Sequence, residues 1–103
     1  MTELSLASLL ASGLVTRVVG DPAVCVRGIK HDSRKVEAGD LFAALPGVTR
    51  DGTEFASDAV ARGASAVLSQ SELTLSVPSV IADDALRALS AMRNTVQALK
   101  MRD

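Results

Sequence analysis

Apolar and polar positions along this chain change period several times, and each change predicts an element. Leu4, Leu6, Leu9 and Leu10, set among Ala and Ser, predict a short amphipathic helix over 3–12 that ends near Gly13. Residues 14–19 are expected to be extended, and Gly20-Asp21-Pro22 reads as a turn. Residues 24–29 predict a strand whose alternation slips at Gly28. Val24 and Val26 share one phase, while Ile29, His31 and Ser33 share the other. A bulge at Gly28 would bring both sets to one face. Residues 37–40 predict a turn, and the unbroken apolar run 41–45 predicts a strand buried on both faces.

The second half repeats the theme with longer helices. Asp51 and Glu54, three positions apart, resemble a capping box, so a helix is expected to start there. Phe55, Ala56, Ala59 and Val60 supply its inward stripe, and Gly63 is placed to stop it. Residues 66–69 predict a third core strand, 70–76 a polar loop, and 77–81 a fourth strand with Pro78 at its beginning or on an edge. Asp83 or Asp84 then caps the longest helix, whose apolar face is expected on Leu86, Leu89, Met92, Val96 and Leu99. Strand and helix alternate from 41 to 100, which argues an α/β layered domain with at least some parallel pairing.

Composition narrows the picture. A chain of 103 residues is one domain, large enough to bury a core without disulfides or metal. The formal net charge of −1 gives no general attraction to nucleic acid or to an anionic membrane. Phe42 and Phe55 are the only aromatics, so a stacking platform for single-stranded nucleic acid is nearly excluded. Cys25 is the only cysteine, which rules out an internal disulfide and reads most simply as a small core residue. Without a signal-like start the expected compartment is the cytoplasm. No apolar run approaches the roughly 20 residues that cross a bilayer.

Candidate chemistry concentrates in residues 29–52, where two apolar runs each lead into polar, glycine and charged residues, as strand ends that carry binding loops do. Gly47 and Gly52 have the spacing of a phosphate-binding P-loop, but Thr53 stands where its lysine belongs, so an ATPase reading fails there. The plainer alternative is a tight strand-to-helix connection. A weaker functional reading survives, with backbone N–H groups of 47–51 receiving a diphosphate or a carbonyl. Arg27, Lys30, Arg34, Lys35 and Arg50 lie within 24 positions, either as a solvated face or as a basic rim along one edge. His31 is the only imidazole, and no second histidine or cysteine completes a metal set around it. Asp32 and Asp40 could act as an acid–base pair. The structural reading is stronger: Asp32 caps a turn and Arg34 or Lys35 pairs with Asp40. Ser33 has no evident activating base, which makes it a hydrogen-bonding group rather than a nucleophile. No nucleophile–base–carboxylate set can be assembled, so no residue is assigned as catalytic.

Taken in order, Ile-Lys-His-Asp-Ser-Arg from Ile29, Gly-Asp-Leu-Phe-Ala-Ala-Leu-Pro-Gly from Gly39, Asp51-Gly52, Phe55, Ala59 and Gly63-Ala64-Ser-Ala66-Val67 resemble the amino-terminal domain of the Mur ligases. The likeness is best to the ligase adding a diamino acid to UDP-N-acetylmuramoyl-dipeptide. The ligase adding D-Ala-D-Ala shares the Asp-Ser-Arg, Gly-Asp-Leu-Phe and Asp-Gly elements. The resemblance implies a three-layer α/β/α sandwich with a small mixed sheet that holds the UDP end of the substrate. It places the backbone of His31 and the side chain of Ser33 at the uracil and ribose. Val48, Thr49 and Arg50 would form a loop closing on the uridine and diphosphate.

Full ligases of this kind continue into an ATP-binding central domain and a third, amino-acid-binding domain, whereas the last glycine here is Gly63. The expectation is therefore a single domain over 1–103 that recognises UDP or a UDP-N-acetylmuramoyl-peptide and is not catalytic alone, with ATP and Mg²⁺ belonging to the full-length family. A second reading, from another class, is a free-standing scaffold or regulatory module that keeps the fold without the ligand. The final helix would then be a candidate pairing surface.

Overall fold

The computed structural model describes residues 4–13, 15–45 and 55–99, the last four by backbone only. Among the described residues seven strands and three helices run in the order β1 (Leu4–Ser5), α1 (Leu6–Ser12), β2 (Arg17–Val19), β3 (Cys25–Val26), β4 (Gly28–Lys30), β5 (Asp40–Ala43), α2 (Ala56–Ala61), β6 (Ala66–Ser69), β7 (Ser79–Ile81) and α3 (Ala85–Leu99). A 3-10 turn, Ser33–Lys35, lies between β4 and β5.

The main sheet has the order β2-β7-β6-β5-β4. Its last four members are parallel, and β2 is antiparallel to β7 at one edge. All four residues of β5 and of β6 are buried, because helices cover both faces. Alternation sorts their side chains into two cores. Leu41, Ala43 and Leu68 join Leu6 and Leu9 of α1 and Leu89 and Met92 of α3. Phe42, Ala44 and Val67 join Ala56 and Ala59 of α2. The result is a three-layer α/β/α sandwich with a small mixed sheet, as expected.

Local chemistry explains the helix ends. Ser5 caps α1, its Oγ accepting from the Ser8 N–H at 3.2 Å, and Gly13 ends the helix at φ 80°, where a side chain would be strained. Leu4 belongs to β1, paired with Val26, rather than to the helix. Gly63 at φ 109° stops the α2 segment, and a Cβ there would stand 3.0 Å from the Ala38 Cα. That close approach lets the Gly63 carbonyl accept from the Gly39 N–H at 3.1 Å, tying α2 to the turn before β5. Asp84 caps α3 by accepting from the Arg87 N–H at 3.0 Å.

Several expectations are corrected. The slip at Gly28 is a change of sheet, not a bulge. The chain leaves the β1–β3 pair after Val26, Arg27 donates its N–H to Gly39 at 2.9 Å, and Gly28 enters the main sheet opposite Asp40. Val26 and Ile29 still reach one core, but His31 is exposed. Cys25 is exposed rather than a core residue, because it alternates with inward Val26 on a two-residue strand. On α3 the inward stripe begins Ala85, Ala88, Leu89, Met92, which turns Leu86 outward at 61 % exposure. Leu10 of α1 is likewise at the surface. Among the described residues no helix is long and apolar enough to cross a membrane. The capping pair Asp51 and Glu54 lies outside the described residues, as do the side chains of Val96 and Leu99.

Candidate functional site

Where β4 and β5 end, the chain must turn away from two neighbouring parallel strands, and a cleft opens between the departing segments. A cavity of about 600 Å³ occupies this place, in the range of small-molecule sites. The stretch after β4 supplies His31, Asp32, Ser33 and Arg34, β5 and its exit supply Phe42 and Leu45, and the α2 end supplies Phe55 and Asp58. One wall is thus polar and charged, while the other is aromatic and aliphatic with the single carboxylate of Asp58.

The polar wall is held by a local ion pair. Asp32 Oδ1 accepts from the Arg34 backbone N–H and from its Nε, both at 3.0 Å, and Oδ2 accepts from Nη2 at 2.9 Å. The side-chain hydrogen bonds from Arg34, then the one from its backbone N–H, hold the Asp32 carboxyl at about 2 against an ordinary 3.8. A depressed carboxylate stabilises the fold above its ordinary value, and that contribution disappears as pH falls through the lower one. The turn is therefore expected to stay closed at pH 4 and open towards pH 2. A carbon-detected NMR titration of the Asp32 carboxyl checks this, and a midpoint near 3.8 would refute it.

This capped turn buries Ser33 to 7 % exposure beside the cavity. Among the described residues its hydroxyl has no hydrogen-bond partner, and no base stands ready to deprotonate it. The arrangement can donate to or accept from a bound group; it cannot readily generate a nucleophile.

The structure brings His31 and Ser33 together in one cavity. Val48, Thr49 and Arg50 lie outside the described residues, together with the two-glycine loop 47–52. The expected partner of Asp40 is corrected. Arg34 folds back on Asp32, and Lys30 reaches Asp40 Oδ2 at 3.3 Å because β4 and β5 are paired neighbours. The basic residues do not share one rim either. Arg27 precedes β4 and donates to Ala38 O at 3.3 Å, at the strand end opposite the cavity, and Lys30 is turned to Asp40. Among the five, Arg34 alone is a described lining residue.

Sequence reasoning missed the apolar wall. Phe42 and Phe55, the only two aromatics of the chain, both line the cavity, with Leu45 and Asp58 beside them. Their positions flanking the two-glycine loop were the available signal.

Comparisons with known proteins identify the family and the fold. The family model described as "Mur ligase family, catalytic domain" matches residues 25–103. A UDP-N-acetylmuramoyl-L-alanyl-D-glutamate--2,6-diaminopimelate ligase from Geobacillus kaustophilus is 41% identical over 73 residues, covering 71% of this chain and 14% of the relative. The enzyme of the same name from Caulobacter vibrioides is 51% identical over 70 residues, covering 66% of this chain and 14% of its own. Among solved structures, the UDP-N-acetylmuramoylalanyl-D-glutamyl-2,6-diaminopimelate--D-alanyl-D-alanyl ligase from Acinetobacter baumannii matches with a TM-score of 0.74. It is 24% identical and covers 84% of this chain and 20% of that one, a likeness of fold alone.

Proposed function

The chain belongs to the Mur ligase family, and from that premise we propose that the cavity at the ends of β4 and β5 receives the uridine diphosphate end of a UDP-N-acetylmuramoyl-peptide. The parent reaction is addition of a diamino acid in peptidoglycan-precursor synthesis, in keeping with the names of the sequence relatives. Recognition alone is assigned to these residues; no bond-forming step is given to any of them.

The observation that carries the reading is the Ser33 hydroxyl: nearly buried, without a partner among the described residues, and across a small cavity from two phenyl rings. A pyrimidine offers apolar faces and polar edges together. The half-buried ring of Phe55 suits a face, with the buried Phe42 closing the floor behind it, and Ser33 with the backbone at His31 suits an edge. The family resemblance adds Val48, Thr49 and Arg50, which lie outside the described residues, as proposed contacts to the ribose and diphosphate. An edge hydrogen bond discriminates because a ligand lacking it leaves a polar group unpaired, at about 1–3 kcal/mol.

Calorimetry with UDP is the test. Saturable binding is expected, and Ser33→Ala is expected to weaken it by roughly three- to tenfold, the equivalent of one neutral hydrogen bond. Heat no greater than dilution would remove this reading and favour the scaffold alternative, which keeps the same fold with no nucleotide.

A further inference from the structure

His31 reaches the cavity from the end of β4, but its ring is held from elsewhere. Arg93, near the middle of α3 and 62 residues away in sequence, places Nη2 at 2.7 Å from His31 Nδ1. Helix α3 packs on the opposite face of the sheet from α2. The contact therefore links the layer behind the sheet to the lip of the cavity in front of it. A guanidinium has donors only, so Nδ1 must accept, and the proton of the neutral ring stands on Nε2.

We propose that Arg93 is a positioning residue of the cavity, acting through His31. An exposed imidazole at the end of a strand would swing between rotamers and between tautomers. Clamped through Nδ1, it becomes a fixed neutral Nε2–H donor at the lip, suited to an acceptor oxygen of a bound nucleotide: a pyrimidine carbonyl, a ribose hydroxyl or a phosphate oxygen. The arrangement gives the His31 side chain a function beyond its backbone and connects α3 to the ligand through that ring. It rests on the nucleotide reading of the cavity for its ligand, and on the Arg93–His31 geometry for everything else.

Two measurements separate those supports. In the isotopically labelled 103-residue chain at mildly alkaline pH, where imidazole is neutral, an N–H···N bond is expected to give a scalar coupling from Arg93 Nη2 to His31 Nδ1. Its absence would overturn the clamp whatever UDP does. UDP is then titrated against the parent chain, Arg93→Ala, His31→Ala and the double variant. Arg93→Ala is expected to weaken UDP roughly fivefold in the parent and by less than about twofold when His31 is already alanine, as coupled residues do. Equal losses in both backgrounds would overturn the positioning role and leave Arg93 a general support of α3. A visible coupling with no saturable UDP binding in any chain would reject the nucleotide reading, and with it the donor role, while the clamp itself stands.

Discussion

Truncating Phe42 to alanine is expected to lower the unfolding free energy by about 3–5 kcal/mol, a large part of what a domain of this size possesses. The reason lies in its neighbours. Phe42 is 1 % exposed, and the other buried residues of its core are Val36, Ala44, Ala56, Ala59, Ala64 and Val67, none larger than valine; the larger Phe55, Leu73 and Leu75 pack against it only from the half-buried margin. Alanines let α2 approach the sheet closely, but they cannot swell into a vacated phenyl volume. The opposite face is different: Leu6, Leu9, Leu41, Leu68, Leu89 and Met92 share that core, and long flexible chains there can close part of a gap. Leu68→Ala, equally buried, is thus expected to cost less than Phe42→Ala. Urea unfolding of the two variants checks the order, and a larger loss for Leu68 would reject this account. Because Phe42 also lines the cavity, Phe42→Leu separates the two roles. It should retain most of the stability and leave UDP binding nearly unchanged, since Phe42 is almost wholly buried, whereas Phe55→Leu removes the more accessible ring and should weaken UDP.

How much of this was legible beforehand depended on how local the cause was. The strand 66–69 was read residue for residue, because an apolar run with polar flanks needs no information from afar. The reading of 41–45 as buried on both faces held through Ala44 for the same reason, while the half-buried Leu45 lies past the strand end and lines the cavity. Expectations failed where a distant element decides. Nothing near Gly28 states that Val26 pairs with Leu4 while Gly28 pairs with Asp40, so a change of sheet looked like a bulge. Nothing in residues 85–99 states which side of the helix meets the sheet. Leu86 was placed inward because it stands three residues before Leu89 in the series of three- and four-residue steps, although Ala85 and Ala88 lie inward instead.

The site divides in the same way. The stretch after β4 was visible as a strand end because polar residues directly follow an apolar run, but His31 and Ser33 were singled out within it by the family resemblance. Phe42 reads as core from its surroundings, and it is core; that it also forms a cavity wall depends on the α2 end standing opposite. The pairing of Arg93 with His31 joins positions 62 apart, and no spacing rule reaches so far. Asp40 was suspected of an ion pair, and the pair is real, but its partner is set by strand register rather than by proximity in the chain.

That ion pair supports the second large effect: Asp40→Ala is expected to destabilise the chain by about 3–5 kcal/mol, the cost of removing one member of a buried pair. Asp40 is fully buried at the start of β5, and its Oδ2 accepts from the Glu37 N–H at 2.9 Å and from Lys30 Nζ at 3.3 Å. The Lys30 side chain is itself only 15% exposed, so without the carboxylate an ammonium and a backbone N–H are both left largely dry. Asp40→Asn keeps an acceptor for Glu37 but not the charge, and should fall between the parent and alanine. Lys30→Met with Asp40→Leu is the decisive combination. It removes both charges together and should recover most of the loss, because neither ion is then buried alone. Urea unfolding of the single and double variants reads the coupling. Simple addition of the two single losses would mean that Lys30 and Asp40 act separately, and that the turn before β5, not the ion pair, is what Asp40 holds in place.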